Sequence, residues 1–161
     1  MDCCYREAMT IDYVNGDATA PIGSGTKVVV HICNDAGKWG KGFVLAISKR
    51  WPKAEQEYRA AFARTQKPSL GDVQIVRVAD DIYVANLIGQ HGIARGKTGV
   101  PPIRYPAVRQ GLEQIAMFAQ QHGATVHMPR IGCGLAGGTW DKIEPIVDES
   151  LNGLGVTVYD W

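Results

Sequence analysis

The sequence contains no apolar run approaching the roughly 20 residues that a bilayer-crossing helix needs. Residues 1–7 show no charged-then-apolar leader pattern. These two absences give the expectation of a soluble, cytoplasmic chain with no membrane contact. An excess of one charge is also missing: the net charge is +1, so electrostatics alone names no partner. The basic residues are scattered except for a loose group at Arg95, Lys97 and Arg104, which confines any nucleic-acid contact to the mouth of a site. Cysteine is scarce and poorly spaced. Cys3, Cys4, Cys33 and Cys133 form no Cys-x-x-Cys pair, and no histidine stands at zinc-finger distance from them. Neither a disulfide framework, nor a metal, nor a cofactor is expected.

What is present fits one ordinary globular domain. The chain has 161 residues, 45% hydrophobic and 20% charged. Residues 1–9 read as an N-terminal extension and residues 10–161 as the domain. Thr10-Ile11-Asp12-Tyr13-Val14 alternates polar and apolar residues, as an edge strand does. Lys27-Val28-Val29-Val30-His31-Ile32 is a β-branched run suited to a strand buried on both faces. Residues 42–50 and a segment opened by Pro52 have helical spacing, Pro52 suiting a first turn. Residues 73–78 and 82–88 read as a hairpin, 105–122 as a long helix stopped by Gly123, and 125–128 and 156–159 as further strands. Pro145 argues that the last helix starts at Asp141 rather than Thr139, because a deeply interior proline costs about 3 kcal/mol. Strand–helix alternation beside a hairpin predicts a mixed sheet with helices on both faces, and ligands at the carboxyl ends of its parallel strands.

Glycine and small polar residues gather in those connections. Asn34-Asp35-Ala36-Gly37-Lys38-Trp39-Gly40-Lys41-Gly42 runs from the buried strand toward a helix. Arg130-Ile131-Gly132-Cys133-Gly134-Leu135-Ala136-Gly137-Gly138 does the same, with four glycines in its last seven residues, more than a turn requires. Such loops let backbone N–H groups approach an anion, and two facing one cleft suit a diphosphate. Gly89-Gln90-His91-Gly92 offers polar side chains at a third strand end, leaving a strand expected to lie near the second loop. His31 and His127 fall within strands and are expected to satisfy the core. Asp17, in Asn15-Gly16-Asp17-Ala18-Thr19, suits either an Asx turn or a bond to an adenine amino group. Trp39 could line the site or pack beneath it.

Taken together these segments resemble the macrodomain family, across residues 10–159. Asn15-Gly16-Asp17-Ala18-Thr19 is similar to the family's Gly-Asp-Ile-Thr element, and Val30-His31-Ile32-Cys33-Asn34-Asp35 with Trp39-Gly40-Lys41-Gly42-Phe43 to its strand and first binding loop. Met128-Pro129-Arg130-Ile131-Gly132-Cys133-Gly134-Leu135 resembles the branch holding the terminal ADP-ribose protein glycohydrolase and the antitoxins that remove ADP-ribose from DNA. The resemblance implies a three-layer α/β/α fold and an ADP-ribose site. Asp17 and Ala18 would hold adenine, while Asn34, Trp39, Gly40, Gly42, Gly89, Gly132, Cys133, Gly134, Leu135, Ala136 and Gly137 would line the rest. That branch keeps a catalytic lysine and aspartate where this chain has Gln90 and Ala136, which can act neither as nucleophile nor as base.

The function expected is therefore hydrolysis of ADP-ribose from modified macromolecules, a glutamate ester on protein or a nucleobase linkage on DNA, through a positioned water. Asp35 or His91 is the candidate base, with Gln90 orienting water or substrate. A non-catalytic ADP-ribose reader and an ADP-ribose 1″-phosphate phosphatase are the alternatives. A monomer is expected.

Overall fold

The computed structural model describes residues 11–161; Thr10, Cys3 and Cys4 lie outside the described residues. Its elements, in chain order, are β1 (Ile11–Asn15), β2 (Lys27–Asn34), α1 (Phe43–Arg50), α2 (Pro52–Phe62), β3 (Val73–Ala79), β4 (Ile82–Gln90), α3 (Tyr105–His122), β5 (Thr125–Met128), α4 (Trp140–Ser150) and β6 (Val156–Asp160). The sheet order is β1-β6-β5-β2-β4-β3. Every neighbouring pair is parallel except β3–β4, which is the antiparallel hairpin. This is the mixed sheet anticipated from the sequence.

Helices cover both faces. On one, α3 and α4 bury Leu112, Ile115, Ile143 and Val147 against Val28, Leu87 and Met128 of the sheet. On the other, α1 and α2 bury Ile47, Ala54 and Tyr58 against Val29, Val84 and Ile88. Each fully buried Leu, Ile or Met contributes about 1.5–3 kcal/mol, enough in sum to hold three layers together. β2 is buried along nearly its whole length because it has neighbours on both edges and helices on both faces. At Gly111 a Cβ would lie 2.3 Å from Leu87 Cγ, so glycine lets α3 approach β4 closely.

One expectation fails. The last helix starts at Trp140, with Thr139 as its N-cap residue, and Pro145 lies inside it. Pro145 is the sixth of the eleven residues of this helix, so it removes the bond to the Asp141 carbonyl; both residues lie on the exposed side, while Ile143, Ile146 and Val147 are buried on the other and hold the helix against the sheet. The glycine stop at Gly123 holds, with φ 59° in the left-handed region.

Because β1, β2, β4, β5 and β6 run the same way, the connections after β1, β2, β4 and β5 emerge at one edge of the sheet. Sequence-distant loops are thereby gathered around one cleft.

Candidate functional site

The parallel register of β2 with β4 sets the centre of this cleft. Asn34 pairs with Gln90 across a β-bulge after Cys33, so the residues that follow each strand emerge side by side. These are Asp35 and His91. Asp35 Oδ2 lies 2.7 Å from His91 Nδ1, and Asp35 Oδ1 accepts the Gly92 N–H at 2.8 Å. The Asp35 N–H donates to the Gln90 carbonyl at 3.0 Å, and Gln90 Nε2 donates to the Gly92 carbonyl at 2.9 Å. Burial pushes the Asp35 carboxyl up, but the Gly92 N–H and the His91 ring together outweigh it and hold it below the usual carboxylate range. An ionised Asp35 accepts a proton donated by Nδ1, which leaves Nε2 of a neutral His91 as an acceptor. The imidazole is 64% exposed and Asp35 only 19%, so the carboxylate is set behind the ring.

The first glycine-rich loop is shaped from beneath by Asn34. Its Oδ1 accepts from the N–H groups of Ala36 and Lys38, each at 3.0 Å, and its Nδ2 donates to the Lys38 carbonyl at 2.8 Å. Tyr58 of α2 places its hydroxyl 2.7 Å from the Asn34 carbonyl and 2.9 Å from its Oδ1. Burial raises this phenol, keeping it a proton donor. Asn34, expected as a ligand-facing group, is thus the organiser of the loop. Trp39 is packed among His31 and Tyr58 with Nε1 donating to Ser48 Oγ at 2.5 Å, so its ring lies in the core beneath the loop. Tyr58 was missed by sequence reasoning; it is one more apolar-face residue of an amphipathic helix, and only its hydroxyl height sets it apart.

The second loop folds on itself. Gly138 N–H donates to the Gly132 carbonyl at 2.7 Å and Gly137 N–H to the Gly134 carbonyl at 3.0 Å. Gly132 and Gly137 have φ of 72° and 77°, and a Cβ on Gly138 would fall 2.6 Å from Gly132 O. Among the described residues, the N–H groups of Gly134, Leu135 and Ala136 donate to no backbone acceptor, and neither do those of Gly40, Lys41 and Gly42 in the first loop. Runs of unpaired N–H groups on two facing loops form concavities for an anion. The loops meet where a Cβ on Gly42 would lie 3.3 Å from Leu135 Cδ1.

β4 is separated from β5 by β2, so the third strand end is not beside the second loop as expected. A strap at residues 101–104 closes the gap instead: Ile103 N–H donates to the Ala136 carbonyl at 3.0 Å, His91 N–H to Pro102 O at 2.8 Å, and Arg104 N–H to Gly89 O at 2.9 Å.

At the far end, Asp17 Oδ1 accepts from the Thr19 N–H at 2.8 Å and the Thr19 hydroxyl at 2.7 Å, the Asx-type turn, with Ala18 buried behind it. The connection after β1 rests on a buried network. Ile22 N–H donates to Tyr159 OH, Tyr159 OH lies 2.7 Å from His127 Nδ1, and His127 Nε2 lies 2.7 Å from Thr125 Oγ1. Burial, aided by the Lys27 charge, lowers His127 to about 4, and burial lowers His31, which pairs with Asn86 at 2.6 Å, to about 4. Both histidines are core residues, as expected. Among the described residues no cluster of His, Cys, Asp or Glu could hold a metal ion, and no helix is long and apolar enough to cross a membrane.

Comparison with known proteins agrees with this architecture. A solved structure from Bacteroides thetaiotaomicron, of a protein of unknown function, superposes with a TM-score of 0.93 at 57% identity, covering 96% of this chain and 99% of that one. The ADP-ribose 1″-phosphate phosphatase of Lodderomyces elongisporus is 27% identical over 94% of this chain and 98% of its own length. The chromodomain-helicase-DNA-binding protein 1-like of Mus musculus is 31% identical over 95% of this chain, which spans only 18% of that protein. The Macro domain model matches residues 30–147, taking in both glycine-rich loops, β5 and the carboxyl-terminal half of β2. The chain is a member of the macrodomain family.

Proposed function

We propose that this macrodomain binds ADP-ribose in the cleft and hydrolyses its bond to a modified macromolecule, a glutamate side chain of a protein or a base of DNA. The observation that carries the reading is the hydrogen-bonded pair of Asp35 and His91 at the strand ends. In this reading Asp17 and Ala18 hold the adenine, and the diphosphate lies between Gly40 and Gly42 of one loop and Gly132, Cys133, Gly134, Leu135, Ala136 and Gly137 of the other. Asn34, Trp39 and Gly89 support the walls from behind.

The reaction needs one base. A water attacks the anomeric carbon of the distal ribose, the bond to the acceptor breaks, and its electron pair leaves with the carboxylate or base. The water proton passes to His91 Nε2. Asp35 fixes the tautomer and stabilises the imidazolium that forms, while Gln90 holds the Gly92 carbonyl and so the turn on which His91 sits. A carboxylate leaving group needs no proton, so the absence of a second acid at position 136 is no obstacle to ester cleavage. Recognition of ADP-ribose itself is supported by the Lodderomyces relative, whose name is that of an ADP-ribose 1″-phosphate phosphatase. That same relative favours phosphate-ester cleavage as a second reading.

The test uses three substrates: ADP-ribosylated glutamate protein, ADP-ribosylated thymidine DNA and ADP-ribose 1″-phosphate. Release of ADP-ribose from either of the first two, lost in His91→Ala, supports the proposal. Release of phosphate alone assigns the second reading. Calorimetric binding of ADP-ribose without turnover of any substrate would make the protein a reader, and absence of binding would overturn the whole assignment.

A further inference from the structure

A second cavity, of about 610 Å³, lies against the strap, and His91 is not part of its lining. Its walls are Val100, Pro101, Ile103 and Pro106, with Gly137 and Thr139 at the back, and Arg104, Tyr105 and Lys142 supply its polar groups. None of these side chains belongs to the dyad or to the adenine end. Gly137 and the strap border both this cavity and the cleft.

The charge here is local and of one sign. Lys142 Nζ stands 5.8 Å over the Tyr105 ring, and among the described residues it makes no ion pair. Arg104 Nη1 donates to the carbonyl oxygens of Pro101, Pro102 and Ile103, which fixes its guanidinium against the strap. Arg95 reaches the same rim, with Nη2 3.4 Å from where a Cβ of Gly137 would be and Nη1 donating to Gly99 O. No carboxylate lines the cavity. Arg95 and Arg104 of the loose basic group noticed in the sequence thus meet Lys142 around one opening.

We infer that this cavity binds a nucleotide of single-stranded nucleic acid, the one flanking the modified base, through the Arg95, Arg104 and Lys142 cations and the apolar Pro101, Tyr105 and Pro106 walls. The inference rests on the proposed function and selects DNA, rather than protein, as the acceptor. Two observations favour a nucleotide over an acidic peptide. The volume holds a base and a phosphate together, far more than a carboxylate needs. The walls are mostly apolar with an aromatic ring, suited to a base, and the cations beside them suit a backbone phosphate. The strap borders both spaces, since Pro101, Ile103 and Arg104 line the cavity while Pro102 O accepts the His91 N–H, which suits a residue flanking the modified base.

Unmodified tetrathymidylate tests this independently of ADP-ribose. Fluorescence anisotropy at low salt should show binding that weakens with salt, that persists when the cleft is saturated with ADP-ribose, and that falls at least tenfold in Lys142→Glu. Lys142 is exposed, so that variant keeps the fold, which calorimetric ADP-ribose binding checks. Failure of the wild type to bind, full displacement by ADP-ribose, tighter binding of a tetraglutamate peptide, or indifference to Lys142→Glu would each overturn the inference. Loss of ADP-ribose binding with oligonucleotide binding intact would instead overturn the proposed function.

Discussion

Asp35 and His91 are 56 residues apart in sequence, yet their side chains meet at 2.7 Å because β2 and β4 run parallel and end in step. Neither residue needs a partner to fold there. The pairing converts an exposed imidazole into one with a set tautomer and a free Nε2, a state that an isolated surface histidine does not hold.

Replacing Asp35 by Asn keeps the shape of the pair but lets the amide donate to Nδ1, which moves the proton to Nε2 and removes the base. Turnover should drop about 10²–10⁴-fold in both Asp35→Asn and His91→Ala, with ADP-ribose affinity within a few-fold of wild type. Single-turnover release rates beside calorimetric titrations check this. Equal loss of binding and turnover would assign the pair to holding the loop alone.

Tyr58 supports the first loop from the core side. Tyr58→Phe leaves the buried Asn34 carbonyl and Oδ1 without this donor, at a cost of about 1–3 kcal/mol. Thermal unfolding should register that loss. Binding of ADP-ribose should weaken as well, since the N–H groups at residues 40–42 depend on the path that Asn34 sets.

The glycines of the second loop are not equivalent. Gly132→Ala forces a side chain at φ 72° into Ile103 Cδ1 at 2.7 Å and Ile143 Cδ1 at 2.9 Å, and should cost about 1–3 kcal/mol while weakening ADP-ribose binding. Gly134→Ala adds a methyl where no atom lies within 4 Å and should leave stability unchanged. Paired melting curves and titrations for the two variants separate conformational need from mere proximity to the ligand.

His31 and His127 give the fold a defined acid sensitivity. Each has a native value near 4, below the ordinary histidine value of 6.5, so the unfolded chain binds more protons between those limits. Stability should therefore be full above pH 6.5 and fall as pH drops toward 4, by on the order of 3 kcal/mol per histidine. Asp35 acts at the lower end: its depressed value adds stability that is present above the ordinary carboxylate value and is lost as pH falls from there through the native one. Melting temperature against pH checks the slope, and His127→Gln should flatten it by about half.

Much of this arrangement was legible in the chain. The unbroken β-branched run at residues 27–32 fits only a strand covered on both faces, and residues 73–88 could hardly be other than a hairpin. Glycine density marked both loops because positive φ and close backbone packing leave glycine as the cheapest choice. Asn34 was expected to face a ligand and Trp39 was open between lining the site and packing beneath it; the direction of a loop side chain is set by what packs under it, here Tyr58 and Ser48. The pairing of Asp35 with His91 depends on which strands neighbour each other and in what register, information that no local pattern carries. The start of the last helix was misplaced because local propensity counts the cost of Pro145 but not the burial of Ile143, Ile146 and Val147 against the sheet, which outweighs it.

The contact of Leu135 with Gly42 bears on how guests come and go. Among the described residues no hydrogen bond joins the two loops, and Leu135 stands where any side chain on Gly42 would meet it. Parting them breaks only dispersion contacts, each worth a small fraction of a kcal/mol, and strands no polar group. Under the proposed function, widening the opening for a bulky appended chain therefore strands no hydrogen bond between the loops, and the guest is held by what it meets inside.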